Sequence, residues 1–177
     1  MEIIPMYPLS SGELDGIQEG FVPRLFTGTP APPTSPANPN AILQRLVNGG
    51  YPEIRQRTGD ARKAAWFRAY LSTILQRDVR DLARVDALHA LPNLLQILAA
   101  RSSGLLNLAD VGRDVSLPHS TLTRHLVLLE SVFLVHRLPA WSPNLGQRLV
   151  KAPKLHLIDT GLACHLLGAD VGRLERD

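Results

Sequence analysis

Leu105–Ile158, LLNLADVGRDVSLPHSTLTRHLVLLESVFLVHRLPAWSPNLGQRLVKAPKLHLI, decides the fold. Asn107 is a natural N-cap with Asp110 three residues on, and Leu108, Val111 and Val115 fall on one side of a short helix of about two turns. After Ser116-Leu117-Pro118, the residues Leu122, Leu126 and Leu129 recur at spacings of four and three, which predicts a further helix ending near Ser131. Val132–Leu138 is β-branched and aromatic enough to be a strand, and Lys154–Ile158 alternates like its partner. Pro139–Pro153 is the loop between them.

A helix-turn-helix needs a small residue where two helices cross, a small residue in the turn four positions later, and an aliphatic core residue six further on. Gly112, Ser116 and Leu122 occupy those places. The expected fold class is therefore mainly α: a helical domain with a winged helix-turn-helix and a small β-hairpin wing. On the recognition helix of such a module, His119, Ser120, Thr123 and Arg124 face outward near the N-terminus and can donate to phosphates or base edges. The wing carries the stronger charge signal, because Ser131–Ile158 contains Arg137, Arg148, Lys151 and Lys154 and neither Asp nor Glu. These eight residues are the candidate nucleic-acid contacts, and DNA is the expected partner. The competing reading makes the same charges a solvated face of a module packed inside a larger protein.

Working outward, Ala64, Phe67, Leu71, Ile74, Leu75, Val79 and Leu82 predict one long amphipathic helix over Asp60–Val85, whose apolar surface could drive self-association. Leu94, Leu95 and Leu98 predict another over Leu91–Ser102, with Pro92 in its first turn and Gly104 as a stop. Near the N-terminus, Glu2–Ile4 is strand-like and Ser10 caps a helical turn over Gly12–Glu19. Thr27–Asn40 holds five prolines and reads as a linker or long surface loop. The expected organisation is residues 1–26 as the remnant of an upstream lobe, 27–40 as linker, 41–168 as the helical winged-helix domain and 169–177 as tail.

The 177 residues include 19 Lys and Arg against 16 Asp and Glu, a net charge of +3 that permits a polyanionic partner without demanding one. A single cysteine, Cys164, cannot close an intramolecular disulfide, so a reducing compartment, by default the cytoplasm, is expected. No apolar run approaches the roughly 20 residues of a membrane span, and no secretory leader pattern opens the chain.

At this point the chain resembles the bacterial and archaeal AAA-type ATPases whose C-terminal part is the domain called DUF4143. The resemblance rests on an ordered set of motifs: Gly49-Gly50-Tyr51-Pro52-Glu53, Tyr70-Leu71, Arg77–Leu82, Leu105–Leu108, Leu126–Glu130, Phe133-Leu134-Val135, Asn144-Leu145-Gly146, Pro153-Lys154 and Asp159-Thr160-Gly161-Leu162. It covers about Gly49 to Gly168. It implies a nucleotide-binding lobe upstream, of which Tyr7–Ser10 with Glu13-Leu14 is the last stretch, and a restriction-endonuclease-like part downstream. ATP and magnesium are implied only for full-length relatives, because the chain holds no G-x-x-x-x-G-K-[ST] string to cradle phosphates. An ATPase lobe or a second copy is then a possible partner, and the chain itself is expected to be non-catalytic and cofactor-free.

Sharper readings of single residues weigh against blander ones. Asp159 ends an apolar strand as a magnesium-binding carboxylate would, but it is better placed to cap the helix through Leu162–Leu167. Arg77, Asp78, Arg80 and Asp81 suggest an arginine reaching a neighbouring nucleotide, against which the spacings of Arg77 to Asp81 and Asp81 to Arg84 favour surface ladder pairs. The six histidines show no metal-ligand spacing, and Cys164 beside His165 reads as a small buried residue rather than a nucleophile.

Overall fold

The leucine spacing that predicts helices also predicts where the core sits, and a computed structural model of the chain, describing residues 6–28, 38–78 and 88–176, places it there. Helix α6 (Leu91–Ala100) begins with Pro92 in its first turn, where a missing N–H costs nothing, and buries Leu91, Leu94, Leu95 and Leu98 completely. Asn107 caps α7 (Leu108–Val115), accepting from the amides of Ala109 at 3.0 Å and Asp110 at 3.3 Å. That helix ends at Ser116, which adopts the left-handed region with φ of 54°. Helix α8 (His119–Ser131) then buries Leu122, His125, Leu126, Leu128 and Leu129. A Cβ at Gly112 would sit 3.2 Å from the Leu117 carbonyl oxygen and 3.7 Å from Leu122 Cδ2, so the approach of α7 to α8 is close because position 112 has no side chain.

Strand β1 (Val135–Leu138) pairs antiparallel with β2 (Lys154–Leu157), Val135 opposite Leu157 and Leu138 opposite Lys154. Leu105 adds an isolated antiparallel bridge to Lys154. The expected strand over Val132–Leu138 starts three residues late, because α8 ends in a turn in which Phe133 takes a φ of 55°. The connection expected as plain loop contains α9 (Leu145–Val150), capped by Asn144 through the amides of Gly146 and Gln147. Mainly helical architecture with one two-stranded sheet is what these elements make.

The remaining helices wrap this core. Helix α5 (Asp60–Thr73) packs Phe67 inward and passes into a π-helical turn, Ile74–Asp78. The single helix expected over Asp60–Val85 is thus helical as far as Asp78, with a change from α to π at Ile74. The Thr73 hydroxyl donates to the Ala69 carbonyl at 2.9 Å, the back-bonding that loosens a helical ladder. Val79, Arg80, Asp81, Leu82 and Arg84, and with them the expected ladder pairs, lie outside the described residues, as does Glu2–Ile4. Ser10 caps α1 (Ser11–Asp15) in a capping box with Glu13, but Gly16 in the left-handed region stops the helix short of Glu19. The expected linker is partly helical. Its first residue closes α2 (Phe21–Thr27), and Pro39 opens α3 (Pro39–Asn48) behind an Asn38 cap.

Two distant turns meet where α3 gives way to the short α4 (Pro52–Arg55) and β2 gives way to α10 (Thr160–Leu167). Asp159 caps α10, accepting from Leu162 N–H at 2.7 Å, and its other carboxylate oxygen accepts from Gly50 N–H at 2.7 Å. The approach demands glycine on both sides. A Cβ at Gly49 would fall 2.3 Å from the Asp159 carboxylate, and one at Gly161 would fall 2.8 Å from the Asn48 carbonyl. Tyr51 follows directly and anchors an aromatic cluster, its ring 5.2 Å from Trp66 and its hydroxyl 3.2 Å from that of Tyr70. Helix α11 (Val171–Leu174) closes back on α3. The contact at Gly161 is with backbone, which cannot swing aside, so Gly161→Ala is expected to lower unfolding free energy by about 1–3 kcal/mol, read as a shift in urea midpoint at unchanged m-value.

Candidate functional site

The outward half of α8 is built by the same spacing that buries its other face. His119, Ser120 and Arg124 are exposed, and Thr123 is half-buried with its hydroxyl donating to the His119 carbonyl at 2.9 Å. No side chain caps this helix, and its first backward bond runs from Leu122 N–H to the Pro118 carbonyl at 2.9 Å. The amides of the first turn therefore lack acceptors within the helix and carry the positive end of its dipole.

The hairpin cations do not form one set. Arg137 is held by Glu130, the last acid before the acid-free stretch: its Nε donates to Glu130 Oε1 at 2.8 Å, its Nη2 to Oε2, and its own amide to Oε1 at 3.2 Å. That fork raises the Arg137 pKa and joins the end of α8 to β1, so this residue is a structural clamp rather than a free contact. Arg148, on α9, is half-buried and donates from Nε to the Ser142 carbonyl. Lys151 and Lys154 are exposed. Arg148 and Lys154 line one groove of about 540 Å³ with Leu105, Leu138 and Trp141. The structure thus groups Arg148 with Lys154, leaves His119, Ser120 and Arg124 on α8, and pairs Arg137 with Glu130.

Trp141 is the feature that the sequence reading missed. The residue is 79% exposed, beside a Ser142 that is only 4% exposed. The signal was present as a lone Trp before Ser-Pro-Asn, a cap sequence for a helix that Pro139–Pro153 was not expected to contain.

The other singled-out residues are committed elsewhere. Burial pushes the Asp159 carboxyl above its ordinary value, partly offset by the amides of Gly50, Leu162 and Gly161, and its oxygens are already taken by those donors. Cys164, expected as a small buried residue, is half-buried; burial raises its thiol, with Asp159 adding, and its Sγ lies 3.8 Å from the Leu46 carbonyl oxygen. His165 stacks on Phe67 at 5.3 Å, and burial, then Arg68, lowers its pKa. A raised thiol beside a histidine packed on a ring disfavours the thiolate that nucleophilic chemistry needs. Among the described residues, no group of three His, Cys, Asp or Glu side chains could hold a metal, and no helix is long and apolar enough to cross a membrane.

A family described as a domain of unknown function, DUF8612, matches residues 40–172. The chain belongs to the DUF8612 family. This corrects the expected DUF4143 assignment. The ordered motifs are short, and motifs such as Gly49-Gly50-Tyr51 and Asp159-Thr160-Gly161 serve the backbone junction described above, a packing role that does not by itself carry a nucleotide-binding ancestry. The implied ATPase lobe, with the reading of residues 1–26 as its remnant, goes with that assignment. The DUF8612 chain is similar to the Uncharacterized protein Rv2008c of Mycobacterium tuberculosis and the Uncharacterized protein Mb2031c of Mycobacterium bovis, each 30% identical over 124 residues. Those residues are 70% of this chain and 28% of each relative, so the chain spans under a third of the curated relatives that it matches. No solved structure matches it.

Asp159 titrates in an informative direction. Its folded pKa lies above the ordinary 3.8, so the folded state holds the proton more tightly, and the resulting stability is present at low pH and lost as pH rises through the folded value. Asp159→Asn removes that titration. The wild-type stability measured relative to this variant is expected to decline as pH rises from below 3.8 through the folded pKa, followed by urea unfolding at a series of pH values.

Proposed function

We propose that residues 91–157 form a winged helix-turn-helix module that contacts duplex DNA through the N-terminal half of α8 and the cations of the hairpin, without catalysing a reaction. One observation carries the reading: the element order. A helix (α6), a one-residue bridge at Leu105, two helices crossing at Gly112 with a left-handed turn at Ser116, and a two-stranded hairpin follow one another as such modules require. The exposure of His119, Ser120 and Arg124 at an uncapped helix start supports it, because phosphate oxygens accept from such amides and donors together. Among the described residues, Arg148, Lys151 and Lys154 have no carboxylate partner, and Arg124 joins them on α8.

A second reading, a docking module without DNA contact, is favoured by the outward apolar side chains of α2, where Phe26 is 82% and Val22 62% exposed. The surplus length of the relatives makes the rest of a longer protein its natural occupant.

Fluorescence anisotropy with a labelled duplex across a salt series separates the two. Two to three neutralised phosphates give a log-log slope of about −2 to −3. Replacing Arg148, Lys151 and Lys154 together by Ala is expected to flatten that slope toward zero, whereas Arg137→Ala leaves it unchanged and lowers stability instead. Absence of duplex binding at low salt would overturn the DNA reading.

A further inference from the structure

The apolar residues of the hairpin and its connection divide between core and surface, with Leu138, Trp141 and Val150 on the outside. Val135, Leu155 and Leu157 are in the core, while Trp141, the largest side chain of the segment, stands 79% exposed. Its placement is built. The Ser142 hydroxyl donates to Gln147 Oε1 at 3.2 Å and accepts from Asn144 N–H at 3.3 Å, and the Ser142 carbonyl accepts from Arg148. These bonds hold residue 142 inside and so direct residue 141 outward. Leu105 and Leu138, 69% and 49% exposed, floor the groove beside the indole, and Arg148 and Lys154 line it.

An exposed indole with an apolar floor and two neighbouring cations is the combination that binds an unstacked base: the ring takes the base face and the cations take the adjoining phosphates. A wholly apolar partner would leave Arg148 and Lys154 unmatched, and the stacked interior of a duplex would offer the ring no base face. We propose that the groove at Trp141 holds an unpaired nucleotide at the end of, or beside, the duplex on which the module sits. The preferred ligand is then a duplex with a single-stranded tail. This inference rests on the DNA reading above.

Anisotropy with a blunt duplex and with the same duplex carrying an oligothymidine tail tests it. Wild type is expected to bind the tailed duplex about 10-fold more tightly than the blunt one, with quenching of tryptophan fluorescence. Trp141→Ala is expected to remove that preference while leaving blunt-duplex affinity and melting temperature unchanged, and Trp141→Phe to retain most of it, since any aromatic face stacks. Because residue 141 is solvent-exposed, loss of the preference in the alanine variant does not report unfolding. Equal affinity of wild type for the two duplexes, or a preference that survives Trp141→Ala, overturns the inference while blunt-duplex binding still upholds the DNA reading. Failure to bind either duplex overturns both. So does quenching of Trp141 by an acidic peptide in place of the tailed duplex.

Discussion

A buried carboxylate that accepts from two distant backbone amides sets the arrangement of this chain. Asp159 takes Gly50 N–H and Leu162 N–H at 2.7 Å each, across 109 residues in the first case and three in the second. A carboxylate withdrawn from water is costly unless its oxygens are occupied. The amides offset that cost in part, and only if the two segments come close enough, which is why residues 49 and 161 carry no side chain. From this junction the remaining placements follow. Asp159 is two residues beyond β2, and Ile158 N–H bonds the Leu134 carbonyl at 3.2 Å, so the hairpin is carried with it. On the other side, Tyr51 brings the aromatic cluster of α5, and Leu9 N–H bonds the Gly50 carbonyl at 2.9 Å, bringing the N-terminal segment.

Much of the helical core is legible in the sequence because its signals are local. Leucines at spacings of three and four mark α6 and α8, Asn107 marks the start of α7, Pro92 is admissible only in a first turn, and the two β-rich runs pair in the expected antiparallel sense. Asp159 is also readable as a cap. What is not legible depends on partners remote in sequence. Nothing near Asp159 announces Gly50, and nothing in the run from Ser131 announces that Glu130 will fold back on Arg137. The acid-free interval is a true statement about composition and an incomplete one about charge, since the turn at Phe133 lays β1 back beside the end of α8 and brings Arg137 to an acid just outside the interval. Helix α9 escaped because three prolines and a Trp around a six-residue segment look like loop, although Asn144 is as good a cap as Asn107. The π-helical end of α5 escaped because hydrophobic spacing does not record which carbonyl each amide chooses.

The family assignment shows the same limit from another side. Short motifs in the right order resemble one family, while the match over residues 40–172 is to another. Gly-Gly before an aromatic residue, and Asp-Thr-Gly after a strand, are solutions to a backbone packing problem that unrelated chains can reach. Their chemistry here is capping and close approach, so they say little about nucleotides.

On the proposed reading, the energetics place the module within something larger. With Arg137 withdrawn, the hairpin offers three cations, and the outward half of α8 adds Arg124 together with neutral donors. Neutralising two or three phosphates gives weak, strongly salt-dependent attachment, well short of the six to ten contacts of tight binders. Neutral donors at a helix start can set orientation on a duplex but add little net attraction in water. A single copy would then bind too loosely to discriminate sites at physiological salt, and its retention would require either a second attachment on the same nucleic acid or the effective concentration supplied by a covalent neighbour. The relatives, of whose length this chain matches 28%, have room for such a neighbour. The exposed face of α2 would be a surface for it to rest on, and on the proposed reading docking there would not exclude DNA contact through α8.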